Sequence, residues 1–389
     1  MKGETKMHAD YLIKNGLVID SSQQLEEIMD IAVCSGRIAR VGKNLSDVED
    51  AEIIDASGCI VSAGLIDCHM HLFEGCGMGG TRADAVLLSS GATAGFDGGS
   101  AGIVNYALFS HEIVQPSWAT IKAYLNVSAV GLATASFFPE NVDPKFFDRK
   151  RIAACVAQYS SEIVALKIRI SKNIVGGFGL EPLKTAVEIG QEVSLPVVVH
   201  TTDPAGTLEE IFEILRPGDI YCHAFHGSGH TLLNDDGSLK SCVWVAREKG
   251  ILFDVANGVG HFAFSVAQAA IDCGFYPDTI STDLTKGSMF KKPVYSLPYT
   301  MSKYLNLRMP LQQVIDAVTY RPAKAFGLEN EMGTLKEGVP ADVTVLRRTQ
   351  DKQVCFQDVS GGSLIGNELL IPQMTIKNGV IVYRQIDFL

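Results

Sequence analysis

Eight short apolar runs, separated by segments that are often long enough for a helix, limit the folds open to this chain. The runs lie at residues 64–71, 91–97, 120–128, 163–170, 196–200, 219–223, 250–254 and 278–283. Good helical stretches at 181–193, 207–215 and 239–249 lie between some of them. Eight strands that alternate with helices over roughly 260 residues are typical of a closed (β/α)8 barrel. The sequence therefore predicts an α/β protein of this TIM-like class.

An open, doubly wound parallel sheet is the competing architecture. Such sheets often carry a Gly-x-Gly-x-x-Gly phosphate loop after the first strand. The glycines that follow the first run here do not have that spacing; they are Gly75, Gly77, Gly79 and Gly80. We therefore favour the barrel and interpret this stretch as a flexible substrate loop.

Both ends of the chain are rich in short strands and turns. Asn15-Gly16 and Asn378-Gly379 each lie between apolar stretches, and each predicts a β-hairpin. Ser35-Gly36, between residues 31–34 and 38–41, is a further turn signal. Residues 341–346 read as a further strand. The shared character of the two ends predicts one small β-sandwich built from residues 1–61 and 335–389, beside a barrel at 62–334.

The composition restricts partners and setting. The 389 residues carry a net charge of −11 with no run of lysine or arginine, which argues against a nucleic-acid partner. The nine cysteines form no Cys-x-x-Cys pair and are typical of reduced, buried thiols, so we expect a cytoplasmic protein. The N-terminus shows no secretory signal and no run has transmembrane length, so no membrane association is expected. A homo-oligomer is compatible with the sequence, which does not fix an oligomeric state.

Side chains that ligate metals recur where the predicted strands end. The groups at these positions are His69 and His71 on strand one, Lys167 on strand four, His200 on strand five, His223 on strand six and Asp283 on strand eight. In a barrel, the carboxyl ends of the strands form the active site. One core histidine, or one pair such as His69 and His71, would usually be structural. Six such groups at comparable places predict a metal site instead.

Lys167 is predicted to point into the barrel. Alternation along the fourth run puts Ala165, Lys167 and Arg169 on one face, with the apolar residues on the other face under the helices. Burial lowers the pKa of an ammonium group, and a neutral amine can react with carbon dioxide. The resulting carbamate has two oxygens and can bridge two metal ions. A lysine paired with an acidic side chain is the alternative, and the surrounding histidines favour the carbamate.

The set His69-x-His71, Lys167, His200, His223 and Asp283 resembles that of the binuclear amidohydrolase superfamily. The resemblance also includes Ala63-Gly64-Leu65-Ile66-Asp67 before strand one, residues 321–328, Gly333-Thr334-Leu335 and Ala341-Asp342-Val343. Residues 166–169 and 217–223 look most like the dihydroorotase-like or deacetylase-like branch. The resemblance implies a (β/α)8 barrel, a β-sandwich from both termini, and a carbamylated lysine that bridges two divalent metals, usually zinc.

The resemblance also implies a role for each ligand. His69, His71 and Asp283 would hold one metal, and His200 and His223 the other. Carbamylated Lys167 and a hydroxide would bridge them. The hydroxide would attack an acyl carbon while a metal stabilises the oxyanion, and Asp283 would carry the proton to the leaving group.

Departures from subfamily patterns narrow the substrate. Dihydroorotases typically carry an arginine two residues after the second histidine, where this chain has Phe73. Mononuclear deaminases use a glutamate three residues after the strand-five histidine, where this chain has Asp203, and they have no need of Lys167. Arg169 is either a bidentate clamp for a substrate carboxylate or part of a structural ion pair with a neighbouring strand.

We therefore expect a zinc-dependent hydrolase that cleaves an amide or ester acyl bond in a small carboxylate-bearing molecule. An N-acyl amino acid or an O-acyl hydroxy acid fits. A cyclic amidase of the dihydroorotase or hydantoinase type, or an adenine-type deaminase, is the alternative. A non-catalytic scaffold on the same barrel is the rival of another class, but such proteins usually lose metal ligands, and this chain keeps six.

Five further residues have weaker support. Asn257, after strand seven, is a candidate substrate contact. His226, three residues after His223, is a second candidate, and we expect an accessory role for it and not metal ligation. His261 and His230 are predicted to be loop residues, and Cys76 a bystander thiol.

Overall fold

The computed structural model describes residues 7–75, 77 and 79–388. Seven strands precede the barrel: β1 (Met7–His8), β2 (Tyr11–Asp20), β3 (Leu25–Cys34), β4 (Arg37–Gly42), β5 (Val48–Glu49), β6 (Glu52–Asp55) and β7 (Cys59–Ala63). Strand β7 runs through Gly64 into the first barrel strand. A Cβ at Gly64 would overlap the Thr93 side chain, so the chain can pass at this point only as glycine.

Seven parallel strands then form one sheet, each paired with the next in chain order. They are β8 (Leu65–Met70), β9 (Ala92–Asp97), β10 (Thr120–Asn126), β11 (Ile163–Arg169), β12 (Val197–His200), β13 (Ile220–Cys222) and β14 (Leu252–Asp254). Residues 279–284 close the ring, because Thr279 bridges to Asp254 and Leu284 bridges to Met70, both in parallel orientation. The eight predicted runs therefore make a closed barrel, and the predicted fold class is confirmed.

The helices are α1 (Ala83–Leu87), α2 (Tyr106–Phe109), α3 (Arg149–Gln158), α4 (Lys172–Val175), α5 (Glu181–Glu192), α6 (Leu208–Ile214), α7 (Ser241–Lys249), α8 (Phe264–Asp272), α9 (Leu297–Asn306), α10 (Leu311–Asp316) and α11 (Tyr320–Ala325). The three predicted helical stretches are confirmed as α5, α6 and α7. Helix α6 begins with a capping box between Thr207 and Glu210. Among the described residues, no helix has the length and apolar character needed to cross a bilayer.

Five strands follow the barrel: β15 (Val343–Thr349), β16 (Val354–Gln357), β17 (Ser363–Gly366), β18 (Leu369–Lys377) and β19 (Val380–Arg384). Strands β19, β18, β15, β7, β2, β3 and β4 join in that order into one sheet, with β6 beside β2. The antiparallel pair β15–β7 brings the two ends of the chain together. Apolar side chains from both ends share one core cluster. The prediction of an additional β domain made by both termini is confirmed, and its principal strands belong to a single hydrogen-bonded sheet.

One of the two predicted hairpins and the turn at Ser35-Gly36 are confirmed. Ser35-Gly36 joins β3 to β4 and Asn378-Gly379 joins β18 to β19, all four residues at positive φ. The hairpin predicted at Asn15-Gly16 is wrong, because both residues lie inside β2, where its register with β3 shifts. The Asn15 N–H donates to the Asp30 carboxylate at 3.0 Å, and Gly16 packs so closely on Val61 that a Cβ would overlap it. The pair makes a bulge and not a chain reversal.

Candidate active site

The six predicted ligands converge at one end of the barrel. They are His69, His71, Lys167, His200, His223 and Asp283, and they line one cavity together with Gly98, Leu132, Arg169 and His261. His71 Nε2 lies 3.1 Å from Asp283 Oδ1, and Lys167 Nζ lies 3.2 Å from His69 Nε2. Strands that are far apart in sequence thus deliver their last polar side chains to one place.

Among the described residues, three groups of donor atoms could each hold a metal ion. One consists of His69, Cys222 and His223, and the other two consist of residues that line the cavity. His69, His71 and Asp283 make one of these two groups, and His200, His223 and His261 make the other; within each group one donor atom per residue lies within 4.8 Å of the rest. Asp283 faces both groups, since its Oδ2 lies 3.7 Å from His261 Nε2. Imidazole nitrogens and a carboxylate are donors that suit zinc and its neighbours. The side chains therefore fit two divalent metals.

Hydrogen bonds behind the imidazoles determine which nitrogen faces the cavity. His223 Nδ1 lies 2.8 Å from the Ala256 carbonyl, which can only accept, so this nitrogen carries the proton and Nε2 keeps its lone pair. His71 Nδ1 lies 2.8 Å from Ser100 Oγ, which leaves its Nε2 toward Asp283. Burial lowers the pKa of His69, His200 and His223, and this favours the neutral form that binds metals.

Asp254 is a buried carboxylate behind His69 that the sequence reasoning did not single out. Its Oδ1 accepts hydrogen bonds from Thr279 Oγ1 at 2.8 Å and from Ser281 Oγ at 2.7 Å. Its Oδ2 lies 3.5 Å from His69 Nδ1, and Cys222 Sγ lies 3.1 Å from the same nitrogen. A carboxylate behind a ligating histidine orients the ring. The available signal was that Asp254 ends strand seven, to which no ligand had been assigned.

Lys167 is buried among these groups. Burial lowers the pKa of its ammonium, while Cys222, Asp283 and Asp254 oppose that shift without cancelling it. Within the described part of the chain, Lys167 has no ion pair with an acidic side chain, and its hydrogen-bond partner is His69. This environment fits the amine chemistry expected of Lys167 better than the alternative of a buried lysine–carboxylate pair.

Arg169 lines the cavity and also forms an ion pair. Its Nη1 donates to Glu140 Oε2 at 3.3 Å. Glu140 is buried in the segment after β10, and its other oxygen accepts from Asn126 Nδ2 at 3.0 Å. Burial raises the pKa of Glu140, and Arg169 counteracts that shift. The ion-pair partner Glu140 therefore comes from a loop and not from a neighbouring strand. The Arg169 side chain still lines the cavity that contains the six predicted ligands.

The two weaker substrate candidates do not line this cavity. His226 is fully buried, with Nε2 at 3.3 Å from the Tyr221 hydroxyl and Nδ1 accepting from the Ser228 N–H at 3.3 Å. Burial lowers the pKa of His226 to about 4. This arrangement does not support substrate contact by His226 and fits an accessory role. Asn257 is buried, and neither atom of its side-chain amide has a hydrogen-bond partner among the described residues.

His261, predicted only as a loop residue, lies in the cluster. Its ring centroid is 4.2 Å from that of His223 and 4.9 Å from that of His200. The available signal was that its loop follows strand seven and so belongs to the same end of the barrel. His230 also lies in a loop, outside the cavity. Asp203 pairs with Lys172 at 3.3 Å, and Cys76 lies outside the described residues.

A (β/α)8 barrel with histidines, a lysine and an aspartate gathered at its strand ends, next to a β domain from both termini, defines an amidohydrolase-type enzyme. The chain belongs to the amidohydrolase family, whose family model matches residues 60–381.

Known proteins define the branch of that family. A deacetylase of Agrobacterium fabrum is 38% identical over 310 residues, which cover 80% of this chain and 76% of the relative. A solved dihydroorotase is 34% identical with a TM-score of 0.86, covering 96% of this chain and 98% of its own. A solved adenine deaminase is 29% identical with a TM-score of 0.88, covering 97% and 100%. The chain is a hydrolase of the amidohydrolase superfamily, and the dihydroorotase-like or deacetylase-like subgroup is confirmed.

Proposed function

We propose that this enzyme hydrolyses the amide or ester bond of an acyl group in a small carboxylate-bearing molecule. The observation that carries the proposal is the position of Arg169, whose guanidinium lines the same cavity as both donor groups. The similarity to curated deacetylases supports an acyl bond as the target. An N-acyl amino acid or an O-acyl hydroxy acid would meet both requirements.

Two divalent metals, with zinc expected, would be held by the ligands described above. His69, His71 and Asp283 would hold one and His200 and His223 the other, with carbamylated Lys167 between them. When bound, the metals would polarise the acyl carbonyl and lower the pKa of a water molecule.

Asp283 is suited to carry the proton. Burial opposes its ionisation, but the hydrogen bond with His71 and the neighbouring histidines outweigh burial and lower the pKa of Asp283 to about 2. The carboxylate is therefore ionised at neutral pH and can accept a proton from the attacking water. Because Asp283 faces both donor groups, it can then deliver that proton to the leaving nitrogen or oxygen.

Arg169 would select the carboxylate. Glu140 engages Nη1 and holds the guanidinium plane in place, which leaves N–H groups on the remaining nitrogens for a substrate anion. Phe73 is buried against Phe109, with ring centroids 5.3 Å apart. The position at which dihydroorotases typically carry an arginine is thus apolar. We therefore assign the binding of the substrate carboxylate to Arg169, which lines the cavity.

A hydrolysis screen of the zinc-loaded enzyme tests the proposal. It compares N-acyl amino acids, acylated hydroxy acids, cyclic ureides and adenine, with each acid paired with its methyl ester. Arg169→Met is expected to lower kcat/KM for the free acid about 10- to 100-fold, because a charge-assisted hydrogen bond is lost, and to affect the ester far less.

Lys172→Met is the matched control, since Lys172 is an exposed cation that pairs with Asp203. Turnover of only adenine or dihydroorotate would overturn the proposal, and an unchanged kcat/KM in Arg169→Met would reject the clamp. Less than one bound metal per chain, unrestored by zinc and bicarbonate, would favour a non-catalytic scaffold.

A further inference from the structure

We infer that His261 is a third imidazole ligand at the second metal position, beside His200 and His223. This inference rests on the metal centre of the proposed function and concerns a residue outside the expected ligand set. It assigns to this position three imidazoles from the protein, independent of any carbamate on Lys167.

The three rings enclose one point. Their centroids are 4.3 Å apart for His200 and His223, 4.2 Å for His223 and His261, and 4.9 Å for His200 and His261. One donor nitrogen from each ring lies within 4.8 Å of the other two. Three imidazoles that face a common point match the number of protein ligands in catalytic zinc sites.

The orientation of His261 is fixed from behind. Its Nδ1 lies 2.8 Å from Thr202 Oγ1, and this contact leaves Nε2 on the side of Asp283 and the cavity. The arrangement repeats that of His223, whose Nδ1 is held by the Ala256 carbonyl. A ligating histidine whose second nitrogen is held in this way is preoriented for a metal.

The backbone also makes room for the ring. Gly258 has a φ of +53°, and a Cβ there would lie 2.6 Å from His261 Cδ2 and 2.5 Å from Asp283 Oδ2. Any side chain at 258 would push both groups out of the cluster. The loop after strand seven is therefore shaped to bring His261 to the ligands.

The consequence concerns Lys167. With His200 and His223 alone, the second position would depend on the carbamate for its third protein ligand. With His261 it has three ligands from imidazoles, so a lysine variant without a carbamate should still bind zinc there. Lys167→Ala is expected to retain that zinc, and Lys167→Ala combined with His261→Ala is expected to lose it.

The test is a competition of zinc between the metal-free protein and a chromophoric chelator. His261→Ala is expected to weaken one of the two bound zinc ions at least ~10-fold and to leave the other unchanged. X-ray absorption at the zinc edge should show fewer imidazoles per zinc than in the unmutated protein. His111→Ala is the matched control, since His111 is exposed and paired with Glu112. His261→Gln serves as a second, more conservative variant. An unchanged melting temperature of each metal-free variant would exclude a folding defect.

The ligand role would be overturned if His261→Ala and His261→Gln bound both zinc ions as tightly as the unmutated protein does, with an unchanged number of imidazoles per zinc. A loss of kcat/KM with both zinc ions retained would also overturn it, since His261 would then act on substrate. In both cases acyl hydrolysis by the unmutated enzyme would leave the proposed function intact. If the unmutated protein bound no zinc, both the ligand role of His261 and the proposed function would be contradicted.

Discussion

At the scale of single residues, the cluster of predicted metal ligands also depends on a glycine. Gly98 follows strand β9 and lines the cavity beside the Cδ2–Nε2 edge of the His69 imidazole. A Cβ there would lie 2.5 Å from both Cδ2 and Nε2 of His69 and 3.4 Å from His71 Cε1. Since real Cβ atoms do not approach that closely, His69 can reach its place only beside glycine.

Gly98→Ala is expected to displace His69 and to weaken zinc binding about 10- to 100-fold, the usual effect of a change that disturbs the orientation of a metal ligand. The free energy of unfolding of the metal-free protein should fall by no more than about 1–3 kcal/mol, the usual cost of overpacking. Zinc competition and urea unfolding measure the two effects. Gly177→Ala is the control, because a Cβ at that position meets nothing within 4 Å. Unaltered zinc affinity in Gly98→Ala would show that the cluster tolerates a shifted His69.

At the scale of elements, helix α9 buries a charge-bearing side chain. Lys303 is fully buried, its Nζ donates to the Pro293 carbonyl at 3.2 Å, and it lies 4.5 Å above the Phe262 ring. Burial lowers the pKa of Lys303 to about 7, and the charge of Asp358 opposes only part of that shift. The helix therefore carries a penalty for the protonated lysine that an apolar side chain would avoid.

Lys303→Met should raise the free energy of unfolding at pH 7 and below. Removal of the buried charge should contribute on the order of 2–4 kcal/mol, and loss of the hydrogen bond and the ring contact should offset part of this gain. Because the folded-state pKa is depressed, the unfolded chain binds more protons above pH 7, so the penalty shrinks as pH rises toward the ordinary lysine value. The advantage of Lys303→Met should shrink in parallel, as urea unfolding at pH 7 and pH 9.5 would reveal. Lys324→Met, an exposed change in α11, should show no such trend. A constant difference across pH would contradict the expectation.

At the scale of the whole molecule, buried polar contacts fasten the terminal sheet to the barrel. Lys377 Nζ in β18 lies 2.6 Å from Asp342 Oδ2 and 2.8 Å from Thr120 Oγ1 of barrel strand β10. Thr375 Oγ1 donates to the Leu88 carbonyl at 2.8 Å. Since both members of the ion pair are buried, its loss would affect sheet and barrel together.

Asp342→Ala is expected to lower the free energy of unfolding by about 3–5 kcal/mol, because it leaves the Lys377 ammonium buried without its partner. Circular dichroism and tryptophan fluorescence during urea unfolding should report one transition for sheet and barrel. Glu188→Ala, which breaks an exposed ion pair with Arg149, should cost less than about 1 kcal/mol. A similar small cost in Asp342→Ala would show that water or another group replaces the carboxylate.

Local pattern was sufficient for much of this molecule. The eight runs and three helical stretches could be read from periodicity and spacing, which act over a few residues. Residues at strand ends, such as His69, Lys167 and Asp283, followed from the barrel, because this fold brings the carboxyl ends of its strands to one face. Asn15-Gly16 was misread because a positive φ suits a bulge as well as a hairpin, and only the contacts with Asp30 and Val61 distinguish them.

The sequence by itself determined the fold class, the family and the six predicted ligands that converge. Only the tertiary structure revealed that Glu140 pairs with Arg169 and that His261 lies with the imidazoles of the cavity. It also showed that His226 contacts Tyr221 and does not line the cavity. The reason is physical. Strand residues point where the pleat sends them, whereas loop residues go where packing against distant parts of the chain leaves room for them.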